Sequence, residues 1–129
     1  MTTTAPAPVQ AWHRFVESRD PAGLDVLLAD GCVFRSPAVH TPQEGKAVTA
    51  AYLHAAMVVL GPELRYLDEW YGEQSAVLEF ETVVGGLSVH GVDMLRWGDD
   101  GLLTSFTVMV RPVKGLHAVI EAMGAELTR

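Results

Sequence analysis

The sequence predicts an α+β fold in which helices pack into the curve of a long antiparallel sheet and a last helix closes the chain. Three observations carry that expectation. Residues 9–60 show helical apolar spacing broken by short loops. Residues 64–110 read as four successive strands with turn-like separators, the pattern of an antiparallel meander and not of βαβ crossovers. Val113–Leu127 then places Leu116, Val119, Ile120, Met123 and Leu127 on one side of a helix.

Residues 1–8 lack the basic start and apolar run of a signal peptide and read as a short disordered lead to one domain over residues 9–129. Residues 9–19 carry Val9, Trp12, Phe15 and Val16 at helical spacing and stop before Pro21. Asp20 reads as the N-cap of a second helix with Pro21 at its first position, Leu24, Leu27 and Leu28 on its buried side, and Gly31 at its end. Residues 32–36 form a short strand halted by Pro37, and residues 39–45 a loop. Thr41-Pro-Gln-Glu44 has a capping-box pattern, yet Gly45 sets the third helix at Lys46–Leu60. That helix is apolar nearly all round, so it needs cover on more than one side, and Gly61-Pro62 ends it. The strands follow at residues 64–71, Ser75–Val84, Leu87–Trp97 and 102–110, with Gly85-Gly86 and Gly98–Gly101 as hairpin turns.

At 129 residues the chain has room for a real core and for only one domain. Apolar residues make up 49% and the mean hydropathy is +0.19, which implies apolar surface committed to a cavity or an oligomer interface. A net charge of −7 excludes nucleic acid and anionic membrane as expected partners, and no apolar run reaches the roughly 20 residues of a membrane span. The single cysteine, Cys32, allows no internal disulfide and fits a reducing, cytoplasmic compartment. His13, His40, His54, His90 and His117 show no paired ligand spacing, so neither a metal nor a cofactor is expected.

The candidate chemistry centres on Asp93. Side chains alternate along a strand, so Asp93 shares its face with Val89, Gly91, Leu95 and Trp97. The two turns set it opposite Leu78, with Phe80 alongside, and opposite Phe106, with Thr104, Val108 and Val110 on the same face. A carboxylate in such a wall must find a partner, stay wet, or raise its pKa and keep its proton. Either it serves a small-molecule site, or a helix N-terminus or a buried Arg satisfies it and it is structural. Trp12, Phe15, Tyr52, Tyr66 and Trp70 are the aromatic residues expected to line a cavity above it. The loop after Tyr71 leaves the register open by one residue: Tyr66, Asp68 and Trp70 face inward, or Leu67, Glu69 and Tyr71 do. On the other sheet face, Val77, Val92, Met94 and Met109 mix with Glu79, Glu81, His90 and Arg96, His90 being expected to pair with Glu81. Such a face suits a homodimer.

Trp12-His-Arg-Phe15, Leu27-Leu-Ala-Asp-Gly-Cys-Val-Phe-Arg-Ser-Pro37, Gly45 and Val92-Asp-Met-Leu-Arg-Trp-Gly-Asp-Asp-Gly101 resemble, in order and spacing, the nuclear transport factor 2-like superfamily, in its SnoaL-like and ketosteroid isomerase-like branches. The resemblance covers nearly the whole chain and implies a cone-shaped, cystatin-like α+β barrel, sheet-to-sheet dimers and a cavity for a small hydrophobic compound of carbonyl, polyketide or steroid-like type. In the isomerases, an Asp matching Asp93 is the standard case of an acid that keeps its proton to hydrogen-bond an oxyanion. The position of their general base is Ser36 here, and their helix-one tyrosine matches Phe15. Polyketide cyclases of the SnoaL-like group also place an acid at Asp93, whereas the last-strand Asp of limonene epoxide hydrolases matches Val108. The resemblance thus implies a cofactor-independent proton transfer through Asp93, or a non-catalytic binding or protein-interaction module. His40, in the loop after Ser36-Pro37, either supplies the missing base or is simply exposed.

Overall fold

The computed structural model describes residues 4–128. Its first helix, α1 (Ala7–Ser18), starts two residues earlier than the periodicity suggests, because Pro8 sits at a first-turn position where its missing N–H costs nothing. Ala7 and Pro8 are therefore helical and not part of a disordered lead; that expectation for residues 1–3 lies outside the described residues. In α2 (Pro21–Leu27) the Asp20 carboxylate accepts a hydrogen bond from the Ala22 N–H at 3.0 Å. Gly31 does not end this helix. Leu28 is already extended and opens β1 (Leu28–Arg35), which buries Leu28, Cys32 and Phe34.

The capping-box reading of Thr41–Glu44 also gives way: Gln43–Glu44 is a two-residue strand, β2, antiparallel to β1. Next comes α3 (Lys46–Leu60), passing into a 3-10 turn at Gly61–Glu63. Two buried hydroxyls fix α3 over the sheet, Thr49 donating to the Cys32 carbonyl at 3.1 Å and Thr82 to the Leu60 carbonyl at 2.8 Å.

The meander runs β3 (Arg65–Tyr71), β4 (Ser75–Val84), β5 (Leu87–Trp97) and β6 (Leu103–Arg111), followed by α4 (Val113–Leu127). Both residues of the Gly85-Gly86 loop have positive φ, the conformation that a two-residue hairpin turn requires. The strands form one curved six-stranded sheet of order β2-β1-β6-β5-β4-β3, antiparallel except where β1 runs parallel to β6. The helices occupy its inner side, and α1, α2 and α3 enclose a core of Val9, Trp12, Phe15, Leu24, Leu27 and Leu53 against the sheet.

Two registers differ from expectation. A turn one residue longer than expected, closed by the Gly98 N–H on the Leu102 carbonyl, and a bulge beside Arg96 and Trp97 together slide the β5–β6 pairing by two residues, so Asp93 faces Val108 and Phe106 faces Leu95. The even slide keeps Phe106, Val108 and Val110 on the inner face, whereas on the turn side of the bulge the slide is a single residue, which turns Leu103 inward and leaves Thr104 exposed. A second bulge, between Tyr66 and Asp68 on β3, makes both sequence alternatives half right. Tyr66 faces in, then the strand switches, so Glu69 and Tyr71 are half-buried while Asp68 and Trp70 lie outside. On that outer face His90 lies across from Glu81 but bonds Glu79 at 2.7 Å, because Arg65 has taken Glu81.

Candidate functional site

A cavity of about 230 Å³ opens between the concave sheet, α1, α3 and α4. Phe34, Phe80, Phe106, Val108 and Val110 form its sheet wall; Trp12 contributes from α1, Tyr52 from α3 and Met123 from α4. Among the described residues, Asp93 is the only carboxylate that lines it.

Period-two alternation puts Asp93 on the inner face of β5, and glycine two residues earlier lets the wall close beside it. A Cβ on Gly91 would stand 2.3 Å from the Met109 carbonyl oxygen and 2.7 Å from the Phe80 ring. Only a residue without a side chain lets Phe80 lie flat there.

Asp93 is 6% exposed. Its Oδ2 accepts a hydrogen bond from the Tyr66 hydroxyl at 2.6 Å, and the Tyr66 oxygen accepts one from the Trp12 indole Nε1–H at 2.8 Å. Among the described residues no other side chain bonds Asp93. Burial pushes its carboxyl up to about 7, while the Tyr66 hydrogen bond, which favours the ionised form, pulls the other way. Burial also drives the Tyr66 hydroxyl well above the ordinary phenol range, and the neighbouring Asp93 charge adds to this. Asp93 is therefore an acid poised near neutrality, and Tyr66 stays protonated at any physiological pH.

The structure brings Trp12, Ser36, Tyr52, Tyr66, Phe80, Phe106 and Val108 together with Asp93 around this cavity. Four other candidates fall elsewhere. Phe15 is buried behind Trp12, with ring centroids 5.4 Å apart. Leu78, the cross-strand neighbour of Asp93, is fully buried without reaching the cavity. Trp70 is 54% exposed on the outer face, because the β3 bulge reverses the strand after Tyr66. His40 is exposed and does not line the cavity. The Ser36 hydroxyl accepts from the Ala38 and Val39 N–H groups, and this local turn lays Pro37, Ala38 and Val39 along the rim with His40 beyond them.

The cluster at the β3 end of the wall joins residues that the sequence names only separately, Glu69 and Tyr71 as one of two inward sets and His13 as a histidine without a paired ligand. His13 Nε2 lies 2.5 Å from Glu69 Oε2, Tyr71 donates to Glu69 Oε1 at 2.6 Å, and the His13 ring meets the Tyr66 ring edge-on at 4.9 Å. The bulge that turns Glu69 inward has no sequence marker, though the helical placement of His13 beside Trp12 was available.

Among the described residues no group of His, Cys, Asp and Glu has the arrangement of a metal site. Nor is any helix long and apolar enough to cross a membrane.

No family model matches this sequence, and no curated protein matches it. Solved structures do. A steroid delta-isomerase from Pseudomonas aeruginosa shares 39% identity at a TM-score of 0.90, covering 95% of this chain and 90% of that one. A conserved bacterial protein with a cystatin-like fold from Silicibacter pomeroyi shares 28% identity at 0.85, over 92% and 84% of the two chains. A protein of ketosteroid isomerase-like fold from Catenulispora acidiphila, solved with trimethylamine, shares 16% identity at 0.66 over 94% and 95%, a likeness of fold alone.

Proposed function

This chain belongs to the nuclear transport factor 2-like, ketosteroid isomerase-like superfamily, and from that premise we propose that it binds a small hydrophobic carbonyl compound whose oxygen is hydrogen-bonded by the protonated Asp93. The observation that carries this reading is a lone acid, poised near pH 7, in an otherwise apolar cavity. Apolar walls exclude water, so a donor placed there strengthens as negative charge grows on the ligand oxygen and needs no reorganisation to act. The cavity lies a little below the roughly 300–1,000 Å³ of ordinary ligand pockets. A compact one- or two-ring ligand fits inside; a longer one projects past α4.

The activity to assay is a one-proton isomerisation next to the carbonyl, the chemistry suggested by the Pseudomonas aeruginosa relative. Ser36, at the position of the family's base, is occupied in holding the rim turn. With no second carboxylate among the lining residues, Asp93 must act as both acid and base. That favours binding and polarisation as the core function, with a non-catalytic ligand carrier as the second reading.

The test compares cyclic ketones with hydrocarbons of matched shape, titrated against intrinsic fluorescence. Ketones are expected to bind at least about tenfold more tightly at pH 6, the size of one net hydrogen bond. An ionised Asp93 repels a carbonyl oxygen, so this advantage disappears as pH rises through about 7. Asp93→Asn, whose amide still donates, keeps the preference at every pH, and Asp93→Leu abolishes it. Equal binding of ketone and hydrocarbon by the wild type at pH 6 would overturn the reading.

The outer sheet face is proposed as a homodimer interface. The β3 bulge adds Trp70 to the row of Val77 and Met94, and the next row carries Val92 and Met109. A reducing, cytoplasmic setting is proposed from the single free thiol, Cys32, which is buried.

A further inference from the structure

Donor chemistry fixes the first link of the Trp12–Tyr66–Asp93 chain. An indole N–H donates and never accepts, so Trp12 commits the Tyr66 oxygen to accepting. When Asp93 is ionised it can only accept, and the Tyr66 proton goes to its Oδ2. When Asp93 is neutral, the pair holds two protons and makes one hydrogen bond between them. One proton is left over for the cavity, and there are two places it can sit. Either Tyr66 donates to Asp93 and the acid offers its proton, or Asp93 donates to Tyr66 and the phenol offers its own.

Building on the carbonyl-binding reading above, we propose that Trp12 is a positioning residue that selects the first arrangement, so that the carboxylic acid and not the phenol is the group presented to the ligand. The second arrangement would require the Tyr66 oxygen, a weak acceptor because its lone pair is shared with the ring, to accept from Trp12 and Asp93 together. The consequence is chemical. A carboxylic acid is the far stronger proton donor of the two and is able to hand its proton over completely, whereas the Tyr66 phenol is only a hydrogen-bond donor. The site therefore presents one strong donor, with Tyr66 standing behind it as a brace.

The groups that face this chain are few. From β3 come Tyr66 itself and, beyond it, Glu69, which is paired with His13 of α1. Tyr52 of α3 lines the same cavity. The portions of β1, β4, β6 and α4 that line it contribute no titratable side chain. A pH response of the chain near neutrality is thus assigned to Asp93, with the His13–Glu69 pair as the neighbouring contact to be controlled for.

Two measurements test the assignment. In wild-type protein the Trp12 indole proton is followed by NMR across pH 5–9. Ionisation of Asp93 polarises the Tyr66 hydroxyl and strengthens the bond it accepts, so the Trp12 resonance should move downfield with a midpoint near 7. In Tyr66→Phe that movement should vanish, while the Trp70 and Trp97 protons show none in either protein; His13→Gln, which should leave it in place, is the control for the neighbouring His13–Glu69 pair. A Trp12 resonance that does not follow pH, or follows it equally in Tyr66→Phe, overturns the proposal.

The second measurement reads the ligand. Infrared spectroscopy of a bound cyclic ketone at pH 6 should show a strongly lowered carbonyl stretch in wild type. The shift should be smaller in Trp12→Phe and in a protein carrying 3-benzothienylalanine at position 12, which keeps the indole shape but has sulfur for N–H. An equally lowered stretch in the sulfur analogue would overturn the positioning role and leave the carbonyl reading standing. A wild-type protein with no preference for ketones removes the carbonyl reading instead, and the NMR measurement still tests whether Trp12, Tyr66 and Asp93 form one coupled chain.

Discussion

Asp93 shows how one side chain sets both stability and chemistry. Its carboxyl rises from 3.8 to about 7 on folding, which corresponds to about 4 kcal/mol at about 1.4 kcal/mol per unit. The folded state holds the proton where the unfolded state has lost it, so this group's stability contribution is fully present below about pH 4. It is lost as pH rises through about 7 and is constant beyond. Urea unfolding at pH 5 and pH 8 should show that fall in the wild type. In Asp93→Asn the dependence should be largely removed, leaving the variant about 1–3 kcal/mol more stable than wild type at pH 8. Tyr66→Phe deletes the one hydrogen bond that favours the ionised form and should raise the Asp93 midpoint further, as read from the pH dependence of ketone binding. That Asp93 points inward was legible from alternation and from two Gly-rich turns. Its partner Tyr66 was legible as a cavity residue but its facing stayed open, because a bulge that no residue type announces decides which β3 residues turn inward.

The elements were readable in proportion to how locally they are encoded. Lys46–Leu60 and Val113–Leu127 are bounded by Gly45, Gly61 and Pro112, which act within a residue or two, and both helices fall where those signals put them. The end of α2 did not, because Gly31 is an exposed strand residue and the switch at Leu28 is driven by pairing with β6 far along the chain. Pairing that distant leaves no local trace. The parallel β1–β6 contact, and the two-residue strand at Gln43–Glu44, belong to the same class. Gly91 offers a test at this scale. Gly91→Ala forces a methyl against the Met109 carbonyl and the Phe80 ring, and should cost about 1–3 kcal/mol by chemical denaturation while narrowing the cavity floor.

For the whole molecule, the outer sheet face is the feature to probe. Trp70 and Met109, 54% and 55% exposed, lie outward on β3 and β6 and have no role in the cavity. Sedimentation velocity should therefore show a dimer for wild type and a monomer for the double variant Trp70→Glu with Met109→Glu, with ketone binding retained in both. A wild-type monomer at micromolar concentration would remove the interface.

The two borders of the sheet add something to that picture. One is β2, two residues long, and the other is β3, whose ladder is broken by a bulge and which carries Asp68 and Glu69 in succession. Neither offers the long, flat run of free backbone donors and acceptors that an additional strand would need. Growth of the sheet by end-on recruitment of further copies is closed off at both margins. The broad-side pairing proposed above saturates at two copies, so concentrating the protein should yield discrete particles and not fibrils.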